Sequence, residues 1–148
     1  MIAIVNSERC ILDNPLSALP GYTLRRAAHA MMAELGLRLA PLGLRVADAS
    51  VLLLIEGRAD MTSADIGRIL DIQRANMVPL LARLEAAGLI ERAALNRKSQ
   101  AIVLAAAGKA AQDRLHRVIA QFEADLLARI APEHRAHLVP ALNALWVP

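Results

Sequence analysis

The sequence predicts a mainly α chain with a small β-wing, and three observations carry that prediction. Residues 62–87 hold two short runs with helical spacing of apolar side chains, separated by only three residues. Gly88 punctuates the end of the second run. After it come an apolar pair, a polar and basic stretch, and four more apolar residues, the pattern of two strands joined by a basic tip.

From the N-terminus, residues 1–18 read as an arm. Met1 to Val5 is apolar and suits a strand or a segment lying on a partner subunit, with room for one helical turn at 9–13. Asn14-Pro15 and Pro20-Gly21 are breakers. A first long helix is expected over 22–40, with Leu24, Ala28, Met31, Leu35 and Leu39 as its inner stripe; Pro41 ends it and Gly43 turns the chain. A second helix over 46–55, closing at Gly57, is apolar on all sides through Val51, Leu52, Leu53, Leu54 and Ile55 and therefore buried. Residues 59–61 read as a one- or two-residue strand that adds to the wing sheet.

The central stretch follows. Thr62 with Asp65 three residues on forms a capping box, Asp standing where Glu or Gln is usual. Ile66, Ile69 and Leu70 share a face. Gly67 costs about 1 kcal/mol relative to Ala inside a helix, so its expected use is close approach of a second helix. Asp71-Ile72-Gln73 is the turn, with Ile72 buried between the two helices. The next helix starts near Arg74, with Met77, Leu80, Leu81 and Leu84 inward and Pro79 bending it. Leu89-Ile90 opens the first strand, 95–99 is the tip, and Ala101 to Leu104 is the second strand. Helix, turn, helix, strand, basic tip and strand together describe a winged helix-turn-helix lobe, a reader of duplex DNA. A long helix over 106–130 then presents Leu115, Val118, Ile119, Phe122, Leu126 and Ile130 to a partner helix. Pro132 breaks it, and a last helix over 133–145 carries Leu138, Val139, Leu142, Leu145 and Trp146, too apolar for a free tail. The resulting domain plan is 1–18 arm, 19–56 supporting helices, 57–105 reading lobe and 106–148 dimerisation helices.

These blocks resemble the MarR family of bacterial transcription regulators. RANMVPLLARLEAAGLIER resembles the family's recognition helix and first wing strand, and NRKSQAIVLAAAG its wing tip, second strand and entry to the long helix. LPGYTLRRAAHAMMAELGLRLAPLGL resembles its first helix and the bend after it. The likeness runs from about Leu19 to the C-terminus, with three departures: Asn96 stands where the family commonly has an Asp, Ala105 where it caps the long helix with Thr, and Pro79 where many members have a polar or basic residue. The resemblance implies a sequence-specific regulator, most often a repressor, released from DNA by a small aromatic or acidic ligand. It needs no cofactor and no metal.

Site residues follow from the pattern and the resemblance together. Gln73, Arg74, Ala75, Asn76 and Val78 occupy the exposed start of the recognition helix, where Arg pairs with guanine and Asn with adenine. Thr62, Ser63 and Arg83 join them, and Asn96, Arg97 and Lys98 form the wing tip. For the ligand, the resemblance implies a pocket between the first two helices and the reading lobe. Arg25, Arg26 and His29 are its polar candidates, and Met31, Met32, Leu35, Leu52 and Ile55 its walls. The same three basic residues also suit a plain solvated or interface patch.

Composition bounds the alternatives. The 148 residues are 56% hydrophobic but only 2% aromatic, an excess of aliphatic surface that a small monomer would leave uncovered, so a homodimer is expected. Net charge is +3, which suits an anionic partner; residues 57–100 hold seven basic against five acidic side chains, so placement rather than total charge must supply the field. The expected partner is double-stranded DNA with a pseudo-palindromic operator. No uninterrupted apolar run spans a bilayer and no leader pattern opens the chain, which predicts a cytoplasmic protein with no membrane partner. Cys10 is the only cysteine, either an inert thiol or a redox sensor that replaces the ligand. A catalytic phosphate loop, nucleophile elbow or HExxH is missing from the sequence, and His134 and His137 lack a third ligand. A winged-helix interaction module that no longer binds DNA is the remaining alternative.

Overall fold

The computed structural model describes residues 14–147; Cys10, the apolar 1–5 segment and the expected turn at 9–13 lie outside them. Helix α1 spans Pro20–Leu39, α2 Val46–Ile55, α3 Ser63–Ile69, α4 Arg74–Ala86, α5 Ala106–Ala128 and α6 Pro132–Asn143, with strands β1 at Ile90–Ala94 and β2 at Gln100–Leu104. Short 3-10 turns at Pro15–Ala18 and Ala40–Leu42 flank α1. The first helix begins two residues before the expected 22, because Pro20 is tolerated in the first turn, where its missing N–H is not needed.

The core is aliphatic and centres on α2. Val51, Leu52 and Ile55 are buried, as are Leu35 and Leu39 from α1, Met77, Leu81 and Leu84 from α4, Ile102 from β2 and Leu115 and Phe122 from α5. The strands pair antiparallel, Ile90 opposite Leu104 and Ala94 opposite Gln100. The expected third strand exists as a single bridge, Thr62 to Ala101, reinforced by Ile102 N–H donating to the Met61 carbonyl at 2.8 Å.

The stripe of α1 packs only in its second half. Leu24 and Ala28 are exposed, while Leu35 and Leu39 are buried, because the C-terminal half of α1 alone meets α2 and α5. The long-helix stripe is corrected in the opposite sense: Leu115 and Phe122 are closed inside their own subunit and are not free for a partner. On α6 no residue is buried, and Val139, Leu142, Leu145 and Trp146 stand exposed. Ile69, expected inward, is 53% exposed at the last turn of α3.

Charges clasp α1 to α5. Arg38 donates to Asp125 at 2.6 Å and also pairs with Glu34, which Arg129 reaches from the C-cap of α5 at 2.7 Å. The hydrogen bonds from Arg129 and Arg38 hold the Glu34 carboxyl below its usual range, and Arg38, then Gln121, do the same for Asp125. Carboxylates lowered in the fold contribute stability that is present above their unfolded pKa and is lost as pH falls through the folded one, so this clasp loosens on acidification. Among the described residues no helix is long and apolar enough to cross a membrane.

Candidate nucleic-acid interface

The turn between α3 and α4 is built by the residues that predicted it. Thr62 Oγ1 accepts from Asp65 N–H at 3.2 Å while the Asp65 carboxylate accepts from Thr62 N–H at 3.2 Å and Thr62 hydroxyl at 2.6 Å, closing the capping box. That hydroxyl bond, ahead of the backbone one, keeps the Asp65 carboxyl below its usual range. A Cβ on Gly67 would lie 2.9 Å from the Ile72 carbonyl and 3.3 Å from Met77 Cγ, so only Gly lets the turn and α4 approach this closely. Asp71 takes a left-handed φ of 52°, which an Asx side chain tolerates better than most. Ile72 is half-buried rather than enclosed.

Helix α4 presents the expected face. Gln73, Arg74, Ala75, Asn76 and Val78 are exposed in one continuous patch, while Met77, Leu80, Leu81 and Leu84 seal the opposite side. The helix continues through Pro79, which is exposed. The missing amide at Pro79 leaves the Ala75 carbonyl without its helical partner, on the exposed side of the helix. At the far end Gly88, φ 69°, and Leu89 return their amides to Glu85 at 2.9 Å and Leu84 at 3.0 Å, a Schellman ending that aims the chain into β1.

Asn96 organises the tip. Its Oδ1 accepts from Lys98 N–H at 2.9 Å and Ser99 N–H at 3.0 Å, an Asx turn that folds the hairpin without an ion pair. Arg97 and Lys98 are left exposed, with no carboxylate partner among the described residues. Lower on the hairpin, Arg92 is held by Glu85 at 2.6 Å.

Other expected site residues are placed differently. Arg83 pairs with Asp48, a carboxylate only 2% exposed at the start of α2, so it is a strut between α2 and α4 rather than a free cation. Thr62 is occupied by its cap, and Ser63 is half-buried beside a groove of about 510 Å³ that Arg68, Arg74 and Met77 also line. Arg25, Arg26 and His29 do come together, with Tyr22 and Ala30, along an exposed groove of α1 of about 400 Å³. Leu52 is not part of it: that side chain is 1% exposed in the core, whereas Met32 is 52% exposed. The single enclosing pocket expected from these residues is therefore divided into core and open groove. Arg68 was not among the expected residues although it flanks the turn; its side chain is 75% exposed and paired with Asp65 at 3.3 Å. His116, isolated in sequence, meets Glu56 at 2.7 Å across α5 and the end of α2.

Comparison with known proteins agrees with this geometry. A family model described as MarR family matches residues 42–99. The HTH-type transcriptional repressor Rv2887 of Mycobacterium tuberculosis is 31% identical over 126 residues, covering 83% of this chain and 88% of that protein. Among solved structures, the transcriptional repressor CouR bound to a 23-mer DNA duplex is 31% identical with a TM-score of 0.79, over 88% of this chain and 94% of that one. CouR bound to p-coumaroyl-CoA gives 30% and 0.80, over 88% and 93%. Rv2887 in complex with salicylic acid gives 27% and 0.68, over 90% and 98%. With a shared architecture and a 31% identical relative that covers 83% of it, the chain belongs to the MarR family of transcription regulators.

Proposed function

We propose that this protein is a sequence-specific transcriptional repressor that binds a pseudo-palindromic duplex operator as a homodimer and is released by a small organic acid. It acts by binding rather than by catalysis. The observation that carries the reading is the exposed start of α4, with the Arg74 and Asn76 side chains unpaired among the described residues, set beside a wing tip whose exposed Arg97 and Lys98 have no carboxylate partner among them. The relative seen on a DNA duplex and the relative seen with salicylic acid support both halves of it. Residues 57–105 form the reading lobe, and 19–56 with 106–148 the frame that couples two lobes.

Arg74 and Asn76 read base edges, Gln73, Ala75 and Val78 contribute contact surface, and Arg97 and Lys98 hold phosphate or the minor groove. In a gel-shift assay against the protein's own upstream region, Asn76→Ala should cost about 1–3 kcal/mol and relax specificity at one base. Arg97→Ala should weaken all sequences alike and flatten the salt dependence by about one unit. Equal, sequence-independent losses from both variants would overturn this division.

The homodimer follows from the apolar residues of α6 and the first half of α1, which nothing among the described residues covers. Two recognition helices must sit roughly 34–36 Å apart to read half-sites one turn apart. Sedimentation should give a dimer at micromolar concentration, and Leu142→Ser with Trp146→Ser should shift it toward monomer. A wild-type monomer would refute the arrangement. The acid's carboxylate is assigned to Arg25, Arg26 and His29, which line the α1 groove, with the exposed Met32 of the same helix as the apolar candidate. Release of DNA by an oxidant that requires Cys10, and not by any acid, would replace this ligand with a redox signal.

A further inference from the structure

We propose that Val78 makes the protein selective for thymine, by packing its side chain on the 5-methyl group that thymine carries into the major groove. The inference rests on the repressor reading above and assigns Val78 its part in it. Val78 is 63% exposed and is the one large apolar side chain on the outward face of α4; Met77, Leu80, Leu81 and Leu84 are all turned into the core. It stands four residues, one helical turn, beyond Arg74.

The helix carries no uncommitted polar side chain past its first turn. Gln73, Arg74 and Asn76 cluster at its start. Further on, Arg83 is held by Asp48 and Glu85 by Arg92. The other exposed side chains, Pro79, Ala82 and Ala86, have no hydrogen-bonding group. Beyond Asn76, side chains of this helix can therefore distinguish base pairs only by apolar contact.

The chemistry of the groove then names the target. Base edges in the major groove present donors, acceptors and one apolar group, the methyl of thymine. In a duplex that methyl lies between two rows of phosphates. Val78 has a matching setting: Arg74 precedes it on the same helix, and Arg97 and Lys98 stand at the wing tip of the same lobe. A protein partner would instead need a broad apolar surface, and the neighbours Ala75, Pro79 and Ala82 are too small to supply one. One helical turn is about 5.4 Å and base pairs stack about 3.4 Å apart, so the thymine lies one or two base pairs from the base that Arg74 reads.

Fluorescence anisotropy on the full chain tests this with the protein's own upstream region, amplified once with thymidine triphosphate and once with deoxyuridine triphosphate. Uracil keeps every hydrogen-bonding group of thymine and lacks only the methyl. Amplified DNA holds no methylcytosine, so thymine is the sole source of that group. Losing one covered methyl should weaken binding roughly fourfold, and losing one in each half-site about fifteenfold. Val78→Ala should melt no lower than the wild type, because the position is exposed and Ala favours a helix. It should bind the thymine duplex more weakly and cut the preference to about twofold or less. Asn76→Ala should weaken both duplexes and keep the preference. The proposal is overturned by equal affinity of the wild type for the two duplexes, by a full preference in Val78→Ala, or by a preference that vanishes in Asn76→Ala. Equal affinity leaves the repressor reading standing, whereas failure to bind either duplex removes that reading and this inference with it.

Discussion

Gly108→Ala should destabilise the protein by about 3 kcal/mol and lower its thermal midpoint by roughly 10 °C at fixed protein concentration. A Cβ at this position would lie 2.0 Å from the Leu89 carbonyl oxygen and 3.2 Å from Leu104 Cδ2. The neighbour is backbone, and it is already committed, because the Leu89 carbonyl accepts from Ala105 N–H at 3.0 Å. Relief therefore requires α5 to move away from the hairpin. Gly36→Ala is the control: it also lies inside a helix, but nothing is within 4 Å of its Cβ, so the substitution should raise stability by up to about 1 kcal/mol. If both variants melt alike, the close approach of α5 to the wing root is not what holds Gly108.

Arg83→Ala is expected to cost about 2–3 kcal/mol, below the usual range of about 3–5 for breaking a fully buried pair, because the Arg83 side chain is 38% exposed while Asp48 is not. The Asp48 carboxylate would keep only the Arg45 N–H at 2.8 Å. Removing the charge at both ends, with Asp48→Ala and Arg83→Met combined, should recover part of the loss. Strictly additive effects in chemical denaturation would mean the two side chains do not act as a pair. The salt dependence of DNA binding should be unchanged in Arg83→Ala; a flattened slope would return this residue to the phosphate-contacting set.

That reassignment shows where the sequence is legible and where it stops. The capping box at Thr62 and Asp65, the glycine at 88 and the inner face of α4 are local: each depends on residues within a few positions, and each is found as read. The Asp48–Arg83 pair spans 35 residues and the Gln112–Leu52 bond spans 60, and local periodicity carries no signal for either. A signal did exist in each case: Asp48 is the one charged residue of a largely apolar helix, and Gln112 interrupts an apolar stripe three residues before Leu115. A lone polar residue on a core face implies a partner without naming it. The exposed halves of α1 and α6 are the opposite case, since their apolar residues predict burial that the described residues of one chain do not supply. Leu52 drops out of the expected pocket wall because it and Arg25 lie on adjacent helices in sequence, yet one faces the core and the other solvent.

The clasp between α1 and α5 has a consequence for how the chain folds. Its contacts close loops of 87 residues, Arg38 to Asp125, and 95 residues, Glu34 to Arg129. The turn, α4 and the hairpin close over short distances along the chain, with Leu89 bonded to Leu84 and Leu95 to Ser99. Loop closure grows more costly with length and distant contacts are made late, which orders the steps: the reading lobe condenses first, and α1 docks onto α5 afterwards. Pulse-labelling hydrogen exchange during refolding should find the amides of Met77 and Ile102 protected before those of Leu35 and Leu39. Simultaneous protection would make the frame and the lobe one cooperative unit.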